Sequence, residues 1–231
     1  MKALVIEHDP LSTPERVGDH LESRGFALEP FVVVDDISNP HVKATFPASD
    51  PASDGYDLVV VMGAPWSAYE PRVRGWVLPE VDFVRSHLDR GTPILGVCFG
   101  AQIMSIGLGG TVSPSSRPEY GWTDIEPHEP AIAGGPWFQY HGDEFTLPDG
   151  ATLLAHNDSG HQAFSYERSL ALQFHHVVTP KLLQSWFEVG GDRKLVDSGI
   201  DPDALIEETA RLAMVTQPAL ERMLDWWLDG I

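Results

Sequence analysis

The first hundred residues alternate two kinds of apolar pattern. Continuous apolar runs lie at 2–7 (KALVIE), 31–34 (FVVV), 56–63 (YDLVVVMG) and 92–97 (TPILGV). Short runs rich in Val, Ile and Leu suit parallel strands buried on both faces. Between them the apolar positions recur at helical spacing. Ser12 and Glu15 have the form of a capping box, with Pro14 in the first turn, and predict a helix through Val17 and Leu21 to Gly25. Val81, Val84 and Leu88 share one face of a second helix, predicted to begin at Pro79 and stop at Gly91. A third, "FGAQIMSIGLGG", leaves the run at 92–97 and is stopped by Gly109 and Gly110. This alternation predicts an α/β fold with a mostly parallel central sheet and helices on both faces.

From Thr111 onward the pattern changes to short strands and turns, in "YGWTDIE", "WFQYHGDEFTLPDG", "ATLLAH" and "SLALQFH", which predict a smaller antiparallel section. Asp201 as N-cap and Pro202 at the first helical position open a helix toward Thr216, and a second is predicted from Pro218 through Trp227. Trp226 and Trp227 are adjacent, so one should face inward and the other outward. With no internal repeat or composition break, residues 1–231 read as a single domain with a C-terminal helical extension over about 180–231.

Composition narrows the function classes. The longest apolar runs are far too short to span a bilayer, and the N-terminus reads as a first strand rather than a secretory signal, so the cytoplasm is the expected address. Thirty-four acidic residues against 15 basic ones give a formal charge of -19, which repels phosphate backbones and argues against nucleic acid as a partner. One cysteine permits no internal disulfide.

That cysteine sits in "PILGVCFGAQ". Gly96-Val97-Cys98-Phe99-Gly100, at a strand end and a helix start, has the form of a nucleophile elbow with Cys in place of Ser. A helix N-terminus favours thiolate through its dipole and free N–H groups. Two readings of Cys98 stand on this stretch alone: a reactive nucleophile, or a small buried hydrophobe. A nucleophile needs a base, and the apolar strand in "LALQFHHVV" ends in His175 and His176, at the sheet edge where α/β sites gather. No His-Glu-x-x-His helix or Cys-x-x-Cys pair accompanies them, so neither metal nor other cofactor is expected.

Four stretches, in order, resemble the class I glutamine amidotransferases, in the branch similar to the amidotransferase domain of GMP synthase. They are "VVVMGAPWSAYE", "GVCFGAQ", "YHGDEFTLPDGATLLAHND" and "QAFSYERSLALQFH". The resemblance covers most of the chain. It implies a flavodoxin-like three-layer fold and release of ammonia from a γ-glutamyl amide through a cysteine thioester. Cys98 would be the nucleophile and His175 the base. The backbone N–H of Phe99 and that of Gly63 or Ala64 would form the oxyanion hole. Gln102 would help hold the glutamyl head group, with Gly100, Tyr140 and His141 at the same pocket. The implied substrate is a small γ-glutamyl compound such as glutamine. Since no second domain with a phosphate-cradling loop is evident, ammonia would pass to a separate synthase subunit, or the chain would hydrolyse γ-glutamyl bonds alone.

One position departs from the family. Its histidine is normally followed by Pro-Glu, and here those positions are His176 and Val177. A carboxylate there would fix the imidazole tautomer. Its loss leaves three outcomes: a Cys/His dyad; an orienting group supplied from elsewhere, with Glu167, Asp143, Asp158 or a backbone carbonyl as candidates; or an inactive, repurposed binding protein acting with a partner.

Overall fold

In the computed structural model, which describes residues 1–47 and 55–231, the continuous apolar runs form the centre of one sheet. The strands are β1 (Lys2–Glu7), β2 (Ala27–Val32), β3 (Leu58–Val61), β4 (Ile94–Val97), β5 (Val112–Thr123), β6 (Glu126–Pro127), β7 (Trp137–Phe145), β8 (Thr152–Asn157), β9 (Gly160–Tyr166) and β10 (Ser169–Leu172). The α-helices are α1 (Glu15–Ser23), α2 (Arg74–Asp89), α3 (Phe99–Gly107), α4 (Pro180–Glu188), α5 (Arg193–Asp197) and α6 (Pro202–Asp229).

Among the described residues the main sheet runs β2-β1-β3-β4-β10-β9-β8-β6, and β5 pairs with β7 in a separate antiparallel ribbon. β2, β1, β3, β4 and β10 are parallel, and β9, β8 and β6 complete the sheet antiparallel. The first five follow the strand order of flavodoxin-like sheets. Alternate residues of each central strand enter opposite cores. Val5, Val60 and Leu95 pack with Val17 and Leu21 of α1 and Leu220 and Met223 of α6. Ile6, Val59 and Ile94 pack with Val81 and Val84 of α2 and Ile103 of α3. This gives three layers, helices on both faces of the sheet, as the alternation predicts.

Several element boundaries differ from expectation. The Ser12/Glu15 capping box does not form: the Ser12 hydroxyl donates to Asp9 Oδ2 at 2.6 Å, and α1 begins without a side-chain cap. The local Asp9 turn outcompetes the helix for that hydroxyl. Residues 27–32 form β2, earlier than the expected 31–34, and the strand tolerates Pro30 because it lies at the sheet edge. The connection expected over Asp35 to Gly55 falls partly, at 48–54, outside the described residues.

α2 starts at Arg74, with Pro79 in its interior, and Pro218 likewise lies inside one continuous α6 rather than starting a second helix. A proline deprives the carbonyl four residues earlier of its donor. Those carbonyls belong to Gly75 and Met214, both exposed residues. Trp227 is buried and Trp226 half-exposed, the expected split.

Among the described residues no helix is long and apolar enough to cross a membrane.

Candidate functional site

Four residues follow the carboxyl ends of adjacent parallel strands: His8 after β1, Gly63 after β3, Cys98 after β4 and His175 after β10. The fold thereby gathers groups from across the sequence at one sheet edge. β10 ends at Leu172, so His175 sits in the turn beyond the strand rather than on it.

Cys98 is the N-cap of α3, with φ 52° and ψ -104°. A non-glycine residue there carries strain of about 1–3 kcal/mol. Each buried aliphatic neighbour contributes about 1.5–3 kcal/mol, so the surrounding cores readily sustain it. Both elbow glycines are steric necessities. A Cβ on Gly96 would lie 2.6 Å from Met104 Sδ, and one on Gly100 would lie 2.0 Å from the Val61 carbonyl oxygen. Gly100 therefore packs α3 against β3 and does not line the cavity.

Burial pushes the Cys98 thiol up to about 12, against hydrogen bonds from the Phe99 N–H and from Gln173. The Gln173 amide donates to Sγ at 3.4 Å, and its Oε1 accepts from Gln102 Nε2 at 3.3 Å. No motif in the sequence marks Gln173. The available signal was one polar residue in an otherwise buried run two positions before His175.

A Cβ placed on Gly63 would lie 3.1 Å from His175 Cε1 and 3.8 Å from Cys98 Cβ. Ring and cysteine thus both flank Gly63, which has no side chain to separate them. Burial, with His141 and His176 nearby, lowers the His175 pKa to about 3, against a backbone hydrogen bond at Tyr140. The imidazole is therefore neutral at physiological pH. Its Nε2 is buried without a hydrogen-bond partner among the described residues. The Tyr140 carbonyl only accepts, so the proton belongs on Nδ1 and the Nε2 lone pair is free. Trp186 packs edge-on to the ring at 5.3 Å between centroids.

None of the three carboxylates considered for orientation meets this ring. Asp143 accepts from the Tyr69 hydroxyl at 2.7 Å, Asp158 pairs with Arg117, and Glu167 is exposed in a turn. Among the influences on this ring a backbone hydrogen bond with Tyr140 is the one that favours its charged form, while Val177 is buried among apolar neighbours.

A slot of about 100 Å³ opens onto Cys98, Phe99 and Ala64, with Gln102, Tyr140 and His141 also on its walls. Tyr140 donates its hydroxyl to the Gly191 carbonyl, and His141 is held by Glu119 at 3.1 Å. Among the described residues on these walls Lys194, from α5, is the only lysine or arginine, and Glu70 and Asp143 are the carboxylates. No sequence signal ties Lys194 to the elbow, because α5 joins the site only through tertiary packing.

The desolvated histidines also bear on stability. Burial lowers His176 to about 3, as it does His175, against an ordinary value of 6.5. Both rings stay neutral when folded and become free to protonate when unfolded. Their contribution is complete above about pH 6.5 and is lost as pH falls toward 3, at up to about 1.4 kcal/mol per pH unit for each ring. Urea midpoints should therefore fall steadily from pH 7 to pH 5, with a shallower fall in His176→Leu. A flat profile would contradict the buried neutral state of these rings.

Comparison with known proteins identifies the family and the fold. The model of the family "Glutamine amidotransferase class-I" matches residues 30–184. A GMP synthase [glutamine-hydrolyzing] of Thermomicrobium roseum is 34% identical over 129 residues, covering 51% of this chain and 22% of the relative. That of Aromatoleum aromaticum is 31% identical over 163 residues, covering 62% of this chain and 28% of the relative. The chain thus spans about a quarter of the length of these relatives. The crystal structure of a glutamine amidotransferase from Thermotoga maritima superposes with a TM-score of 0.82 at 25% identity, covering 99% of this chain and 98% of that one. A glutamine amido transferase from Methylobacillus flagellatus, at 18% identity and a TM-score of 0.77 over 100% and 95% of the two chains, shares the fold.

Proposed function

Because the chain belongs to the class I glutamine amidotransferase family, we propose that it cleaves γ-glutamyl amide bonds through a thioester on Cys98, with His175 as base. The observation that carries this reading is that Cys98 and His175 both flank Gly63, with Cys98 also on the wall of the slot. Sγ attacks the amide carbon as its proton passes to the imidazole. The oxyanion is held by the N–H of Phe99 and that of Gly63 or Ala64. The imidazolium then gives its proton to the leaving nitrogen, which departs as ammonia or an amine. Water, deprotonated by the same ring, opens the thioester and releases glutamate. The Tyr140 carbonyl replaces the missing carboxylate as the group that orients His175.

The head group is a zwitterion, and the slot offers complementary charges. Lys194 suits the α-carboxylate, while Asp143 and Glu70 suit the α-ammonium, with Gln102 alongside. Glutamine is the simplest substrate of this class, and a separate synthase subunit is the natural acceptor of its ammonia. Supporting this reading, the relatives from Thermomicrobium and Aromatoleum carry "glutamine-hydrolyzing" in their names. A second reading, a binding protein on the same fold, draws on the buried Val177 and the high thiol pKa.

Glutamine, glutathione and a γ-glutamyl anilide, supplied separately with Cys98→Ala as the blank, distinguish the two. The expected result is Cys98-dependent glutamate release from at least one of them. Release from none, with Cys98 open to a small alkylating reagent, favours the binding protein.

A further inference from the structure

His8 and Glu80 are both completely buried, His8 against the Gly63 carbonyl and neither residue on the wall of the slot, and nothing in the cysteine chemistry so far requires them. His8 Nε2 lies 2.8 Å from Glu80 Oε1, and its Nδ1 lies 2.9 Å from the Gly63 carbonyl oxygen. A carbonyl only accepts, so Nδ1 carries a hydrogen and donates it to Gly63. Burial alone would hold this ring neutral, yet the charge and hydrogen bond of Glu80, with the Gly63 carbonyl, raise its pKa above the ordinary value. The hydrogen bond to Glu80 occupies Nε2 and leaves Nδ1 as the donor to Gly63.

The consequence follows from peptide geometry. In a trans peptide the carbonyl oxygen of one residue and the N–H of the next point in opposite directions. The bond after Gly63 is trans, since the one cis bond among the described residues is Gly135-Pro136. Pinning the Gly63 oxygen toward His8 therefore turns the Ala64 N–H the opposite way, and Ala64 lines the slot beside Cys98. The same imidazole packs edge-on against the Phe99 ring, at 4.7 Å between centroids. Phe99 supplies the other N–H of the oxyanion hole in the function proposed above.

We propose that His8, held by Glu80, is a positioning residue that sets the Gly63–Ala64 peptide so that the Ala64 N–H, rather than that of Gly63, forms the second oxyanion donor. The inference rests on the thioester reading for its catalytic meaning. The peptide orientation itself does not.

A pair of double variants isolates the hydrogen bond to Gly63. His8→Phe with Glu80→Leu replaces the buried pair by apolar groups, leaving no unpaired charge and preserving a ring against Phe99. His8→Asn with Glu80→Leu also removes the pair, but the Asn amide can still donate to the Gly63 oxygen. The Phe variant is expected to lose roughly 10- to 100-fold in kcat for glutamine with KM changed less than about threefold, and the Asn variant to recover most of that loss. Crystal structures should show the Gly63 carbonyl rotated in the Phe variant and unmoved in the Asn variant.

Equal kcat in the two variants, a loss confined to KM, or a Gly63 carbonyl unmoved in the Phe variant would each overturn the proposal. If wild type releases no glutamate from glutamine, the thioester reading fails on its own account and the crystal structures alone decide the positioning role.

Discussion

Cys98→Ala is expected to reduce glutamate release to the uncatalysed level, a loss of roughly 10^4-fold or more, without unfolding the protein. The substitution removes only the sulfur from a residue whose place is fixed by its backbone, whose N–H donates to the Leu172 carbonyl at 2.7 Å. Alanine meets the same positive φ with no larger penalty, so the melting temperature should change by only a few degrees. Mass spectrometry supplies the independent readout: a γ-glutamyl chloroketone should add one adduct to wild type at Cys98 and none to the variant. Residual turnover of more than a few per cent, with the variant folded, would place the nucleophile elsewhere.

His175→Gln should cost about 10^2- to 10^4-fold and, more tellingly, change the pH profile. In wild type the imidazole is neutral well below pH 5, because burial lowers its pKa to about 3. The base form is thus complete across the neutral range, and the rate should be flat from about pH 5 to 8 instead of falling near 6.5. Without the ring, only spontaneous ionisation supplies thiolate. With the thiol pushed up to about 12, that fraction rises tenfold per pH unit, and the rate of the variant should rise with it from pH 7 to 9. Combining His175→Gln with Cys98→Ala should cost no more than Cys98→Ala alone, because the two groups act as one unit. A pH-independent rate in the variant would remove His175 from the proton path.

Much of the fold was legible because its causes are local. Strands β1, β3 and β4 announce themselves as continuous apolar runs, and α3 by the glycines that bracket it. The misplacements have equally physical origins. Ser12 reads as a cap until Asp9 takes its hydroxyl, a competition of two polar groups that no periodicity registers. Pro79 and Pro218 read as helix starts, but a proline is tolerated inside a helix when the carbonyl it leaves unpaired faces water. Whether it does depends on which face of the helix the core covers.

The site divides along the same line. The Gly-x-Cys-x-Gly spacing and the two histidines, with the resemblance they carry, point to Cys98, His175 and the Gly63–Ala64 loop, and the structure brings these to one edge of the sheet. Tyr140, His141 and Gln102 line the slot, whereas Gly100 serves packing.

The sequence by itself determined the parallel α/β sheet, the elbow and the absence of the family's carboxylate at Val177, since each is written in residues adjacent along the chain. Only the tertiary structure decided that the Tyr140 backbone comes within reach of His175, that Gln173 reaches the sulfur, that Lys194 lines the slot and that His8 bonds the Gly63 carbonyl. These partners lie between 35 and 96 positions apart (175−140, 98 to 173, 98 to 194, 8 to 63). Strand order brings them together, and strand order is set by packing of whole layers, a property of the folded chain and not of any window along it.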